Sequence, residues 1–211
     1  MKPTIAIFIH NPQCETECAL GMVAGLVNDF DIRTFGIDNL TSSFLAEFDA
    51  VCFPGGTGDA DDFDKIFTAD HIHTIQEYVH CGGRYLGICM GAYWAGSDYF
   101  DITTDLTIGQ YIERPTSDIT YDGPTIANVT WLNDPDTMYF YDGCAILGDD
   151  IDVYATYVNG DAMAVIQGNV GMIGCHPEAQ PNWYDEGDMY NYYHLKHAQC
   201  MSNFLKDLVN E

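Results

Sequence analysis

Basic residues are the scarcest class in this 211-residue sequence, where seven Lys and Arg stand against 32 Asp and Glu, a formal net charge of −25. A surface this acidic repels phosphate backbones, which argues against nucleic acid as a partner. A salt-rich cytoplasm, a marine host or a bias towards solubility would each account for the charge. The charge alone does not separate these origins.

Salt is expected to stabilise the fold, because the excess of negative charge repels itself at low ionic strength. We expect the Tm to rise between low and moderate salt, and about 2–4 °C would correspond to 1 kcal/mol for a domain of this size. Thermal unfolding followed by circular dichroism at increasing NaCl measures the effect. A Tm that falls over this range contradicts the expectation.

Long hydrophobic runs are also missing. The first apolar stretch covers only Thr4 to Ile9, which is too short for the core of a signal peptide, and no run approaches the length of a membrane span. Eight cysteines are present, but a chain this long and apolar does not need disulfides to fold. We therefore expect a soluble, cytoplasmic protein with reduced cysteines and no membrane contact.

Apolar runs alternate with helical patterns in the first hundred residues. The patterns predict buried strands at 4–9, 31–37, 50–53 and directly before Cys89, and helices at 17–30, 70–81 and 90–96. The first helix is placed by apolar residues at helical spacing, namely Leu20, Val23, Ala24 and Val27. Strands that alternate with helices predict right-handed βαβ units, and therefore an α/β fold with a doubly wound, mostly parallel, flavodoxin-like sheet.

From about residue 101 to 160 the pattern changes to short strands separated by Gly, Pro and Asp, namely 106–111, 125–131, 138–141 and 152–157. We interpret this part as an antiparallel β elaboration of a single domain over 1–211, because no linker-like stretch separates it. A hairpin at 163–167 and 169–175 is predicted to return the chain to the core sheet, and an amphipathic helix at 192–209 closes the sequence.

One short motif has the residues of a nucleophile elbow. Gly87-Ile-Cys-Met-Gly91 lies between a predicted strand and a predicted helix, and its glycines stand where a Cβ would clash with the neighbouring backbone. The N-terminus of the following helix would favour the thiolate of Cys89 over the thiol. The alternative is that Cys89 is a small buried core residue.

Two further stretches lie at predicted strand ends. Backbone N–H groups of Gly55 and Gly56 in the Pro54–Asp59 loop can form an oxyanion hole, although the loop can also be a plain turn. No Lys-Ser/Thr follows, so it is not a phosphate-binding Walker loop. His176 and Glu178 can lie on one side of an extended segment, where the carboxylate orients the imidazole. We expect these stretches to meet Cys89 at the carboxyl edge of the sheet.

Weaker candidates lie elsewhere in the sequence. Cys14, Cys18 and His10 could hold a metal, but their spacing matches no zinc pattern, and no metal site or cofactor is predicted. The aromatic stretch 184–193 either covers part of the site or only an apolar edge of the domain. Three histidines are expected on the surface of the helix at 70–81: His71, His73 and His80.

Pro54-Gly-Gly56, Gly87-Ile-Cys-Met-Gly91 and His176-Pro-Glu178, in this order, resemble the class I glutamine amidotransferase-like superfamily. The longer strings around them, including Gly82-Gly-Arg-Tyr-Leu-Gly-Ile-Cys-Met-Gly-Ala-Tyr93, are similar to the N-terminal domain of biotin-protein ligases, which also occurs in free-standing bacterial and viral proteins. The Tyr141-Asp-Gly143 turn fits that branch too. The similarity covers most of the chain and is strongest in the first 95 residues and at 170–178.

The resemblance implies a cysteine-dependent amidohydrolase or amidotransferase-like enzyme. Cys89 would be the nucleophile, His176 the general base and then acid, and Glu178 its orienting residue. The reaction would be attack on an amide or related acyl carbon, with a thioester that water hydrolyses. The oxyanion would be held by backbone N–H groups of Met90 and of Gly55 or Gly56.

The sequence departs from the glutamine-using enzymes just after the elbow. Those enzymes usually carry His-Gln or a similar pair where this chain has Ala92-Tyr93, so we expect a small or peptide-like amide other than free glutamine as substrate. These residues contain no synthase or ligase domain. Ammonia transfer would therefore need a synthase or ligase partner subunit, and biotin transfer is not expected.

Two other functions compete with the enzyme. The first is a non-catalytic binding or regulatory module that retains the fold. The second is a hydrolase, glyoxalase or chaperone of the PfpI-like superfamily, which shares the elbow. That group often has His directly after the cysteine, where this chain has Met90, and it lacks a downstream His-Pro-Glu.

Overall fold

Eleven strands among the described residues form one sheet. The structure, a computed structural model, describes residues 1–10, 16–56, 62–185 and 188–210. The strands are β1 (Thr4–Phe8), β2 (Asp31–Phe35), β3 (Ala50–Phe53), β4 (Arg84–Ile88), β5 (Thr107–Gln110), β6 (Thr125–Trp131), β7 (Asp134–Phe140), β8 (Cys144–Leu147), β9 (Asp152–Tyr157), β10 (Ala162–Gln167) and β11 (Val170–Ile173).

Six α-helices of the described residues accompany the sheet. They are α1 (Thr16–Leu26), α2 (Ser42–Leu45), α3 (Phe63–Ile66), α4 (Ala69–His80), α5 (Met90–Trp94) and α6 (Leu195–Asn210). Short 3₁₀ turns occupy Ile37–Asn39, Tyr111–Glu113, Pro181–Asp185 and Met189–Tyr192. None of these helices combines the length and the apolar composition that crossing a bilayer requires.

The sheet has a parallel part and an antiparallel part. Its strand order is β2-β1-β3-β4-β11-β10-β9-β6-β7, and β8 joins β10 with β5 on its other side. Pairing is parallel from β2 to β11 and antiparallel from β11 onward. The predicted fold class is therefore confirmed, including the hairpin of β10 and β11 that returns the chain to the core.

Each face of the parallel strands carries its own hydrophobic core. Ile5 and Ile7 of β1 belong to the cluster that includes residues of α1 and α6, whereas Ala6 and Phe8 belong to the cluster with α4 and α5. This alternation follows from the two-residue period of a strand. Helices on both faces leave the carboxyl edge of the strands as the place where loops meet.

Two of the apolar residues that indicated α1 do not lie on its buried face. Leu20 and Val27 are 54% and 49% exposed, and the face turned to the protein carries Cys18, Ala19, Gly21, Met22 and Leu26. Small residues on this face allow a close approach, since a Cβ on Gly21 would lie 2.6 Å from the carbonyl oxygen of Glu178. Gly21 allows this close approach, and Met22 and Leu26 on the same face pack in the core.

The antiparallel part contains one strand that the sequence analysis missed and one that it cut short. β8 was missed because it begins directly after Asp142-Gly143, and these two residues predict a turn rather than a strand. β7 begins at Asp134, directly after a two-residue turn in which Leu132 and Asn133 have φ of 47° and 75°. Positive φ at both positions is typical of a type I′ hairpin turn.

The predicted glycine cap of α4 is confirmed. Gly82 has φ of 94°, its N–H donates to the carbonyl of Val79 at 3.0 Å, and the N–H of Gly83 donates to that of Tyr78 at 2.8 Å. This pair of bonds is a Schellman motif, which turns the chain from the helix into β4. The cap therefore sets where the strand that leads to Cys89 begins.

Candidate functional site

Three adjacent parallel strands end at the same edge of the sheet and bring the predicted site residues together. β4 lies between β3 and β11, with Phe53 beside Gly87 and Ile173 beside Ile88. Cys89 follows β4 directly, and its N–H donates to the carbonyl of Ile173 at 2.8 Å. The strand order places the Gly55 loop on one side of Cys89 and the His176 segment on the other.

Cys89 occupies a strained turn between β4 and α5. Its backbone angles are φ 49° and ψ −108°, a region that costs a non-glycine residue about 1–3 kcal/mol. A Cβ on Gly87 would lie 2.2 Å from the carbonyl oxygen of Gly91, and one on Gly91 would lie 2.1 Å from that of Phe53. The expected clash at both glycines is thus confirmed, and the turn has the geometry of a nucleophile elbow.

His176 and Glu178 form a buried pair beside this turn. His176 Nδ1 lies 2.9 Å from Glu178 Oε1, and the two residues are 3% and 1% exposed. The backbone N–H of His176 donates to the carbonyl of Tyr139 at 2.9 Å, which fixes the segment. Among the described residues, His176 Nε2 and Glu178 Oε2 have no hydrogen-bond partner.

Electrostatics at His176 reflect its neighbours. Burial by itself lowers the pKa of His176. The sulfur of Cys89 and the carboxylate of Glu178 raise this pKa by more than burial lowers it, so it lies above its usual range. The imidazolium is therefore stabilised when negative charge is present on both sides. This arrangement suits a group that takes a proton from a neighbouring thiol.

Gly55 lies close to both the histidine and the cysteine. A Cβ added there would be 2.6 Å from His176 Cε1 and 3.4 Å from Cys89 Cβ, so only glycine fits. Gly56 is half-buried next to it, and Met90 is the first residue of α5, where backbone N–H groups have no acceptor within the helix. Residues 57–61, the remainder of the glycine loop, lie outside the described residues.

The turn Tyr141-Asp-Gly143 closes the site on a side that the sequence analysis did not foresee. The thiol of Cys89 donates to the carbonyl of Tyr141 at 3.5 Å, and Tyr93 donates its hydroxyl to the carbonyl of Asp142 at 3.1 Å. Burial raises the pKa of Tyr93, so this hydroxyl stays a donor. In the sequence this turn stood out only as a family feature. Its place beside Cys89 depends on the close packing of Gly143 against Gly174, which are distant in the sequence.

Aromatic rings cover His176. The Trp183 ring lies 5.7 Å from the His176 ring between centroids, and Tyr139 lies 5.9 Å from it on another side. Tyr184 is buried and packs on Tyr139 at 5.3 Å. The covering contact comes from Trp183, one residue before the stretch 184–193 for which the sequence left two roles open, and within that stretch Tyr184 packs on Tyr139 rather than on His176.

Cys18 is the residue near the site that the sequence analysis failed to place there. One ligand atom each of Cys18, His176 and Glu178 lies within 4.8 Å of the other two. The weak metal candidate paired Cys18 with Cys14, which lies outside the described residues. Nothing in the local sequence indicates the contact with His176, because it arises from packing of α1.

The histidines of α4 are not part of the site. His73 and His80 are exposed, as expected. His71 is half-buried, because its Nδ1 accepts a hydrogen bond from the backbone N–H of Thr68 at 3.3 Å and closes a capping box at the start of α4. The helix therefore uses this histidine to satisfy its own N-terminus.

Comparison with known proteins supports the resemblance drawn from the motifs. Residues 11–107 match a family model described as the N-terminal part of biotin-protein ligase. The predicted resemblance is confirmed. No curated protein matches the chain.

Solved structures share the fold over nearly the whole chain. A glutamine amidotransferase is 15% identical, with 92% of this chain and 98% of that chain covered and a TM-score of 0.62. A glutamine amidotransferase from Thermotoga maritima is 11% identical, with both chains covered completely and a TM-score of 0.64. PurLQS from Thermotoga maritima is 17% identical, with 97% and 100% covered and a TM-score of 0.59. The chain therefore has a glutamine amidotransferase-like fold.

Proposed function

We propose that this protein is a cysteine-dependent amidohydrolase or amidotransferase-like enzyme that acts on the acyl carbon of a small or peptide-like amide. The observation that carries the proposal is the strained Cys89 at the end of β4, beside a buried His176–Glu178 pair at the end of β11. A nucleophile, a base and a group that orients the base are the set that thiol acyl transfer requires.

In the proposed mechanism, His176 Nε2 accepts the proton of the Cys89 thiol and the sulfur attacks the amide carbon. Negative charge on the amide oxygen is held by backbone N–H groups of Met90 and of Gly55 or Gly56. His176 gives the proton to the departing nitrogen, the C–N bond breaks and a thioester remains. Water then attacks the thioester while His176 accepts its proton, the C–S bond breaks, the sulfur of Cys89 takes that proton from His176, and the acid leaves.

The alternative of a non-catalytic module explains the buried polar atoms less well. His176 Nε2 and Glu178 Oε2 are buried without hydrogen-bond partners among the described residues, and each such atom costs about 1–3 kcal/mol. A module that only binds a ligand has no need for a backbone-strained cysteine in addition. An enzyme has a use for the strained cysteine as its nucleophile and for the unpaired Nε2 of His176 as the atom that accepts the proton.

The substrate is proposed to differ from free glutamine. Tyr93 lies one turn after Cys89, and its hydroxyl bonds to Asp142, so this side chain helps to wall the site from the Tyr141–Gly143 side. We also propose that the whole chain acts as one domain, since both predicted parts share one sheet. A synthase or ligase subunit that receives ammonia remains a prediction from the resemblance.

Alkylation tests the proposal directly. We expect iodoacetamide near neutral pH to modify Cys89 at least about tenfold faster than a peptide thiol, because the proposed base His176 lies beside it to accept its proton. Peptide mass spectrometry after short exposures gives the rate for each cysteine. Incubation with a panel of amides, followed by acid quenching, then searches for a thioester on the Cys89 peptide.

Other cysteines of the same chain provide the controls. Cys81 is exposed and should react as an ordinary thiol. Burial raises the pKa of the Cys52, Cys144 and Cys175 thiols, so these should react slowest in the folded protein. The enzyme proposal fails if Cys89 is modified no faster than Cys81 and Cys89→Ala leaves every detected activity intact.

A further inference from the structure

Three side chains with different ligand chemistry converge behind the elbow. Cys18 comes from α1, and His176 and Glu178 come from the segment after β11, and one ligand atom of each lies within 4.8 Å of the other two. All three residues are buried, at 4%, 3% and 1% exposure. A thiol, an imidazole and a carboxylate therefore lie close together in the interior of the protein.

The packing of α1 holds Cys18 in this place. Gly21 lies one helical turn after Cys18, and a Cβ there would come within 2.6 Å of the Glu178 carbonyl oxygen and 3.2 Å of Glu178 Cγ. The helix therefore approaches the His-Pro-Glu segment as closely as a glycine permits. This contact keeps the backbone of α1, and with it the Cα of Cys18, close to the His-Pro-Glu segment.

The ligand types favour a zinc-class cation. Thiolate, imidazole and carboxylate together are a typical set for Zn²⁺, at about 2.0–2.3 Å from the metal. Two nitrogen or oxygen ligands at such distances on a tetrahedral ion are roughly 3.4 Å apart. His176 Nδ1 and Glu178 Oε1 are already 2.9 Å apart, so a small opening of the pair would admit the ion.

A second observation points to the same site. Glu178 Oε2 is buried and has no hydrogen-bond partner among the described residues. A carboxylate oxygen in that position is an unused ligand, and a cation held by both oxygens of Glu178 would satisfy it. We propose that Cys18, His176 and Glu178 bind a divalent thiophilic cation of the zinc class.

Binding has a defined effect on the protons of the site. The Cys18 thiol releases its proton to water when the S–metal bond forms. Coordination at His176 Nδ1 leaves the proton of the neutral imidazole on Nε2, where it blocks acceptance of the Cys89 proton. If the proposed enzymatic function holds, on which this consequence rests, the cation is an inhibitor and its removal activates the enzyme.

Cobalt is the probe for the metal site, because thiolate-bound Co²⁺ has a charge-transfer band in the near ultraviolet. We expect one equivalent of Co²⁺ to produce this band in the wild type and Zn²⁺ to remove it by competition. The band should persist in Cys89→Ala and in Cys14→Ser, and it should be lost in Cys18→Ser. The affinity of Cys18→Ser for Zn²⁺ should fall by more than about tenfold, since even an outer-shell change costs 10- to 100-fold.

A measurement on the unmodified protein covers the case in which Cys18→Ser does not fold. X-ray absorption of the wild type loaded with one equivalent of Zn²⁺ should show a sulfur ligand at about 2.3 Å with nitrogen and oxygen ligands at about 2.0–2.1 Å. The proposal is overturned by zinc without a sulfur ligand, by a cobalt band that survives in Cys18→Ser, or by a band that Cys14→Ser abolishes.

Activity is measured separately, so that the two proposals can fail independently. One equivalent of Zn²⁺ should reduce amide hydrolysis at least about tenfold, as expected when the general base is lost, and a chelator should restore it. A cobalt band in a protein whose activity is unaffected by Cys89→Ala would refute the hydrolase and leave the metal site standing. An active hydrolase without the band would refute the metal site alone.

Discussion

Replacing Cys89 by alanine is expected to lower the rate of amide hydrolysis by about 10⁴-fold or more, because the proposed nucleophile that forms the thioester is lost. His176→Ala should cost a similar factor. The double variant should be no worse than either single variant, since a nucleophile and its base act as a unit. Steady-state release of ammonia or amine from the best substrate of the amide panel gives these ratios.

Glu178→Gln separates the orienting role from the chemical ones. The amide removes the charge that raises the pKa of His176, so we expect the rate of hydrolysis to fall. Because the amide keeps the shape of the carboxylate and the nucleophile is still present, this fall should be smaller than that of Cys89→Ala. A matched control is Cys52→Ala, which removes a buried thiol from the neighbouring strand β3 and should retain activity. Equal rates for Cys89→Ala and the wild type would contradict the nucleophile assignment.

Gly91→Ala is expected to lower the free energy of unfolding by about 3 kcal/mol, at the upper end of typical overpacking costs. The added methyl group would lie 2.1 Å from the carbonyl oxygen of Phe53, which is backbone of a buried strand and has no room to retreat. For a domain of this size the loss corresponds to a Tm lower by roughly 6–12 °C. Urea unfolding and calorimetry measure it.

Gly109→Ala is the control for this substitution. Gly109 lies in β5, and a Cβ there has no heavy atom within 4 Å, so we expect a change of less than about 0.5 kcal/mol. Gly87→Ala should resemble Gly91→Ala, because its methyl group would lie 2.2 Å from the Gly91 carbonyl oxygen. A Gly91→Ala protein as stable as Gly109→Ala would contradict the close packing of the elbow.

Much of the site could be predicted from sequence because its requirements are local. Gly87 and Gly91 flank Cys89 at fixed offsets, and a strand-to-helix turn with this geometry excludes a Cβ at both positions. The pairing of His176 with Glu178 was also foreseen, but the expected extended segment was wrong: the two residues lie in a turn, in which the Ala179 N–H donates to the His176 carbonyl at 3.2 Å. The alternation of strands and helices likewise predicted the doubly wound parallel core.

The sequence by itself therefore determined the elbow, the His-x-Glu pair and the fold class, and only the tertiary structure decided which surfaces meet there. Cys18 comes close to His176 because α1 turns the face with Gly21 inward, whereas Leu20 and Val27 lie on its exposed side. The Tyr141–Gly143 turn reaches Cys89 through the pairing of distant strands. Such contacts depend on how closely two backbones approach each other. The spacing of apolar residues within one segment does not predict that distance.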